Sequence, residues 1–518
     1  MRLCAKIFFQ RINNLLKNKM GKINYILRGM LIIIVFSMNL KMAAQQTYQL
    51  TLDEVVALAQ SDAPDALLAS TQWKKNYWTY RSFLADFKPQ VVLGASSLPN
   101  YNRSIEPITQ DDGSQIYRQR AFMENYAGLS LQQDFAPTGA RVELGSGIGR
   151  TDQFATEDLA ASRNYISNPI QFRIEQPLFK FNLMKWRKKI EPIVYKESEK
   201  LYSEQMESVA NQSKEFFFNL LFSQLDAEAA RQDKINADTL LTLSQGRFEV
   251  GKIAETDLLQ VQLSAMQAET RLAEAQLLMQ TNTEQLRDFL DLQGDVQFDL
   301  VPPYDLPGIT INPDEALSYA QQNRSDVVAF QRRLLQAQQV VAEAKGGTGL
   351  DANLVGSFGL NQNSENINNA YLDLKDQETF KFGISVPIAD WGKSKAQRSV
   401  AQANLELEQR KIDQEKENFR RVVVLKAQQF DLVRRNAEIA QRYTESAKKR
   451  YEITYQRYLI GKISITDLNL ALTEQESARR GYLQAIRNFW SAVYELRGLT
   501  LYDFVSGKTL MLNAPINE

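Results

Sequence analysis

Histidine is missing from the 518 residues, and cysteine occurs once, at Cys4. The first absence removes the commonest general base and the commonest metal ligand. The second leaves the chain beyond its leader without thiol chemistry, a disulfide or a zinc–thiolate site. An excess of either charge is missing too, since 61 basic residues face 61 acidic ones. That gives no grounds for a basic nucleic-acid surface or for a strongly acidic partner surface. No internal run is long and apolar enough to make a membrane helix. Acidic residues are scattered over helical stretches as solvated faces, and no spacing pairs two of them, so a hydrolase finds little support and no cofactor is implied.

What is present is a turn that occurs twice. Arg247-Phe248-Glu249-Val250-Gly251-Lys252-Ile253, with Asp257 just beyond, is matched by Arg457-Tyr458-Leu459-Ile460-Gly461-Lys462-Ile463, with Asp467 just beyond. The two glycines stand 210 residues apart, and so do Pro177 of Gln176-Pro177-Leu178-Phe179 and Pro387 of Val386-Pro387-Ile388-Ala389. A glycine ends a helix by taking the left-handed conformation at little cost, so each turn predicts an αα-hairpin. Asp53-Glu54 and Asp314-Glu315 form a further pair, 261 residues apart, which leaves 51 extra residues in the first half. An internal duplication with one insertion accounts for these offsets.

Residues 1–44 read as a leader. Lys22 and Arg28 precede the apolar stretch Met30–Phe36, and Met42-Ala43-Ala44 offers small residues for cleavage. An N-terminal membrane anchor is the other reading of this segment. The first repeat then covers 45–298. Thr51 and Glu54 fit a capping box that opens a helix running to about Phe87, before Pro89. Strands are expected from about 90 to 177, with 99–125 as a loop and a possible extra hairpin at about 126–149. A helical hairpin follows over 183–292, its first arm from about Leu183 to Val250. The linker 299–312 contains Pro302, Pro303 and Pro307, which exclude regular helix. The second repeat, 313–498, has a helix, strands at about 350–389 and a hairpin over 393–497. A tail, 499–518, ends the chain.

Two patterns bear on function. Each long helix is on the order of 65 residues, roughly 100 Å at 1.5 Å per residue, and needs neighbouring helices along its whole length. Leu483, Ile486, Trp490 and Val493 give one return helix a seam at three–four spacing. The short helices of each half add up to one long helix, so stacked end to end they would run beside it. The strands alternate apolar and polar residues, as in Phe380, Phe382 and Ile384 against Lys381 and Gly383. A soluble sheet packed on a core and a transmembrane barrel with a wet lumen both satisfy that alternation.

These turns, the Pro motifs and the duplication resemble the TolC family of outer-membrane efflux proteins, over about 48–498. The resemblance implies a homotrimer, a shared transmembrane β-barrel in the outer membrane, and a trimeric α-barrel of long helical hairpins through the periplasm. It implies an exit duct of a tripartite efflux or type I secretion system, passive and not an enzyme, served by an inner-membrane pump and a periplasmic adaptor. Adaptor contact is carried onto Val250, Gly251, Lys252, Ile460, Gly461 and Lys462. The closed-state gate is carried onto Tyr458 and Asp257, and an aperture ring of acids onto Asp467. Two positions depart from the family pattern: Ile463 stands where the gate has an arginine, and Leu470 where a second acidic ring belongs. The family barrel has two strands per half, and the 51-residue excess puts that count in question. The competing reading is an exported coiled-coil scaffold with a small soluble sheet and no channel.

Overall fold

A computed structural model describes residues 46–511, apart from Asp158 and Asp295. The leader with Cys4 and the last seven residues of the tail, 512–518, lie outside the described residues. The chain divides into two compact units that do not follow the two repeats. Of the described residues, one unit contains 46–64 together with Ser213–Tyr304, and the other contains Asp65–Gln212 with 305–511.

In the first unit, strand β1 (Gln46–Leu50) pairs in parallel with β6 (Val296–Leu300). No strand was expected at either place, because each is only five residues long and β6 lies beside the proline-rich linker. Helix α1 (Leu52–Asp62) opens on the expected capping box: the Glu54 amide donates to Thr51 Oγ1, and Thr51 N donates to Glu54 Oε2 at 2.8 Å. The expected single helix to Phe87 is broken. Ala63 is extended before Pro64, which disfavours helix at the preceding residue, and α2 (Pro64–Ala85) starts on that proline. Helix α3 (Leu183–Glu249) is shared between the units, and α4 (Glu255–Phe289) returns in the first.

The second unit holds a six-stranded antiparallel sheet in the order β2 (Gln90–Thr109), β3 (Gln115–Phe135), β4 (Ala140–Phe154), β5 (Ser162–Leu178), β7 (Asp351–Ser364) and β8 (Lys375–Ser385). The stretch 99–125 is therefore mostly strand, not loop. Its polar residues pair across the hairpin, as Arg103 does with Gln119 and Arg120 with Glu106, which a hydropathy pattern does not register.

Helices complete this unit. The second opening helix is also split, into α5 (Pro313–Asn323) and α6 (Ser325–Gly347), at an extended Arg324 held by ion pairs to Glu204 and Asp326. Helix α7 (Lys393–Leu459) spans 67 residues, about 100 Å at 1.5 Å each. Its first part is clamped to α6 through Arg333, which binds Glu408 and Glu415. Its later part lies against α8 (Ile465–Thr500), where Lys426 meets Glu495 and Arg450 meets Glu474. Two short helices thus run in succession beside one long one, as their lengths suggested. Ala316 and Ala320 of α5, Val423, Ala427 and Phe430 of α7, and Phe489 and Val493 of α8 form the core between them. Leu483, Ile486 and Val493 of the expected seam are buried, and Trp490 packs partly buried beside that core.

Candidate functional site

The sheet presents two chemically different faces. Direct partners Val91, Leu131, Leu144, Phe172 and Phe358 make one unbroken row across β2, β3, β4, β5 and β7. The adjacent row, on the other face, runs Gln90, Gln132, Glu143, Arg173, Ser357 and Thr379 across all six strands. Alternation along each strand puts successive side chains on opposite faces, so the apolar row extends to Leu93, Leu129, Ile170, Phe380, Phe382 and Ile384. These side chains are exposed, Leu93 at 77 % and Phe380 at 76 %. A soluble sheet buries its apolar face on a core; this one leaves it bare on every strand.

Where the strands run into the helices, exposed aromatic and aliphatic residues collect. Phe179 follows β5, and Ile388 and Trp391 follow β8, with Trp391 99 % exposed. Such a girdle beside an apolar band is the pattern of an outer-membrane strand at the membrane boundary. The turn between β3 and β4 is tied to the same end of the sheet. Asn182 donates to the Ala136 carbonyl at 2.8 Å, Gln176 donates to the Thr138 carbonyl at 2.9 Å, and Gln133 donates to the Phe87 carbonyl at 3.0 Å.

The two glycine turns share one backbone pattern. At the first, Gly251 has φ +70°, Gly251 N donates to the Phe248 carbonyl and Lys252 N to the Arg247 carbonyl. At the second, Gly461 has φ +73°, Gly461 N donates to the Tyr458 carbonyl and Lys462 N to the Arg457 carbonyl. A Cβ at either glycine would meet open space, so the left-handed backbone alone accounts for glycine there. Val250, Lys252, Ile460 and Lys462 are exposed at these turns.

The turns differ in how the next helix starts. Ala254 caps α4 with no side-chain hydrogen bond, and Asp257 lies in the first turn, its amide on the Ala254 carbonyl. Ser464 caps α8 in a full capping box: Asp467 N donates to Ser464 Oγ, and Ser464 Oγ donates to Asp467 Oδ2 at 2.8 Å. The carboxylate of Asp467 is thus engaged in holding the helix start. The serine–acid spacing of three is the sequence signal for this cap. Tyr458 is buried, Ile463 half-buried and Leu470 exposed. Asp257 lies in the first unit, and Tyr458 and Asp467 in the second.

Two further features escaped the sequence reading. Glu207 of α3 and Arg497 of α8 form a bidentate ion pair at 3.1 and 3.2 Å, with both side chains largely buried. Nothing in the local sequence links residues so far apart. Tyr126 lies over glycines of β3 and β4, for which Gly145, Gly147 and Gly149 on alternate positions were a readable signal. Among the described residues no helix is long and apolar enough to cross a membrane, and no group of three or more His, Cys, Asp or Glu is placed to hold a metal ion.

The family described as "Outer membrane efflux protein" matches residues 131–290 and 316–500. Solved structures similar to the chain include the CmeC outer membrane channel of Campylobacter jejuni, at 17 % identity and a TM-score of 0.61, covering 89 % of this chain and 87 % of that one. VceC, an outer membrane protein of Vibrio cholerae, matches at 12 % identity and a TM-score of 0.59, covering 88 % and 96 %. The MtrE outer membrane channel of Neisseria gonorrhoeae, in its open state, matches at 14 % and 0.57, covering 87 % and 88 %. At these identities the likeness is one of fold. No curated protein matches the chain in sequence.

Proposed function

The chain belongs to the outer membrane efflux protein family, and we propose that three copies of it form a passive duct fed by an inner-membrane pump through a periplasmic adaptor. It is an outer-membrane channel reaching into the periplasm, a conduit and not an enzyme. The observation that carries the reading is the sheet: its apolar face is bare on every strand, its other face is polar, and its strand ends lead into helices of 67 residues. Lipid covers the first face and water the second. A scaffold with a soluble sheet leaves the bare face without a partner.

The matched geometry of the two glycine turns supports an internal two-fold repeat in which both turns reach the periplasmic end. There Val250, Gly251, Lys252, Ile460, Gly461 and Lys462 meet the adaptor, while Asp257, Tyr458 and Asp467 line the gate. Energy for transport comes from the pump. The test uses the near absence of cysteine. Lys252→Cys and Lys462→Cys, cross-linked in intact cells, are expected to capture a periplasmic protein, and Leu93→Cys is not. Capture at Leu93 with none at the turns would contradict this orientation.

A further inference from the structure

We infer that the trimer closes an eighteen-stranded barrel, half as many strands again as the twelve of the family pattern, with a correspondingly wider lumen. The inference rests on the duct reading, and it concerns what the 51 extra residues of the first half do.

Four observations carry it. The sheet of one chain is a single ladder of six strands, in which β3 and β4 are hydrogen-bonded on both sides. The apolar row does not skip the added strands: Leu129 and Leu131 of β3 and Leu144 of β4 are as bare as Phe172 and Phe358. A hairpin folded outside the barrel would leave those side chains in water. The β3–β4 turn is fastened at the helix end of the sheet by Asn182 and Gln176, level with the other strand ends. Finally, the sheet has two open edges, β2 and β8, whose unpaired backbone groups need partners in lipid. Six antiparallel strands leave β2 and β8 running in opposite directions. Edge β8 of one copy therefore meets edge β2 of the next in antiparallel register, and the ring closes head to tail.

The geometry sets the size. With strands about 4.8 Å apart and tilted about 40°, eighteen strands give a backbone diameter of roughly 36 Å, against roughly 24 Å for twelve. With about 10 Å allowed for side chains, the lumen passes two helices of about 10 Å side by side, where a twelve-stranded barrel passes one. Polypeptide in a helical hairpin is thereby within the width of the exit.

Electron cryomicroscopy of the full-length protein in lipid nanodiscs tests this by counting strands. Three-fold particles with eighteen strands, six per copy, are expected. Three-fold particles with twelve strands and a hairpin outside the wall would overturn the inference and leave the duct intact. Particles without a shared barrel would overturn both.

Discussion

The ring of Tyr126 on β3 lies across Gly147 of β4, so close that a Cβ on Gly147 would fall within 2.7 Å of the ring carbon Cζ. The same ring covers Gly128 and Gly149, so one side chain of β3 spans the glycines of β3 and β4. Gly147→Ala is expected to swing aside the outer end of a ring that is itself 40 % exposed, at a cost of about 1 kcal/mol or less. Thermal unfolding in detergent measures it. In the Tyr126→Ala background the same substitution should cost much less, and an equal cost in both backgrounds would place the strain elsewhere.

Glu207 and Arg497 are a buried pair joining α3 to α8. Arg497→Met leaves the Glu207 carboxylate without its cation and should destabilise by about 3–5 kcal/mol. Replacing both, as Glu207→Leu with Arg497→Met, should restore much of the loss, because the desolvation cost disappears with the charges. Denaturant unfolding of the single and double variants compares the two.

Glu204 and Glu415 respond to pH with opposite signs. Burial holds the Glu204 carboxyl above the ordinary glutamate range, against the opposing pull of Arg324 and Ser325. Its contribution to stability is full below the unfolded pKa and is lost as pH rises through the raised folded value. The hydrogen bond from Arg333 holds Glu415 below the ordinary range, so its contribution is present at neutral pH and is lost as pH falls through the lowered folded value. Glu204→Gln should therefore lessen the decline in melting temperature on the alkaline side of about pH 4.5. Glu415→Gln should lower the melting temperature at neutral pH and flatten its decline on the acid side. A decline unchanged in Glu204→Gln would contradict the assignment.

At the second turn, capping and charge can be separated. Ser464→Ala removes the cap at a cost of about 1 kcal/mol and should speed amide exchange in the first turn of α8. It leaves the Asp467 charge in place. Asp467→Asn removes that charge, and is expected to reduce cation preference measured as a reversal potential across a salt gradient, while Ser464→Ala leaves it unchanged. Equal reversal potentials in wild type and Asp467→Asn would confine Asp467 to capping.

Asp257→Ala and Tyr458→Phe are expected to loosen the closed end and raise single-channel conductance in planar bilayers. Unchanged conductance in both variants would remove these residues from the gate.

Features with a local cause were legible in the sequence. The glycine turns, the Thr51 capping box, the alternating strands and the seam on α8 each depend on residues a few positions apart, and each is found where expected. Features set by distant partners were not. The pairing of polar residues from 99 to 125 depends on a facing strand, as Arg120 does on Glu106 and Gln153. The break at Arg324 depends on Glu204 of another helix. The break at Pro64 has a local cause, since the residue before a proline is disfavoured in helix. At the turns the glycines were plain, but Asp467 is shared between a cap and the aperture proposed for it, and composition does not separate those roles.

The central claim is that three chains make one duct. The detergent-purified full-length protein should show a protein mass of three chains and, by negative-stain imaging, three-fold particles of roughly 140 Å, about 100 Å of helix plus a membrane-thick barrel. A single-chain mass with compact particles, or a soluble rod without three-fold symmetry, would contradict it.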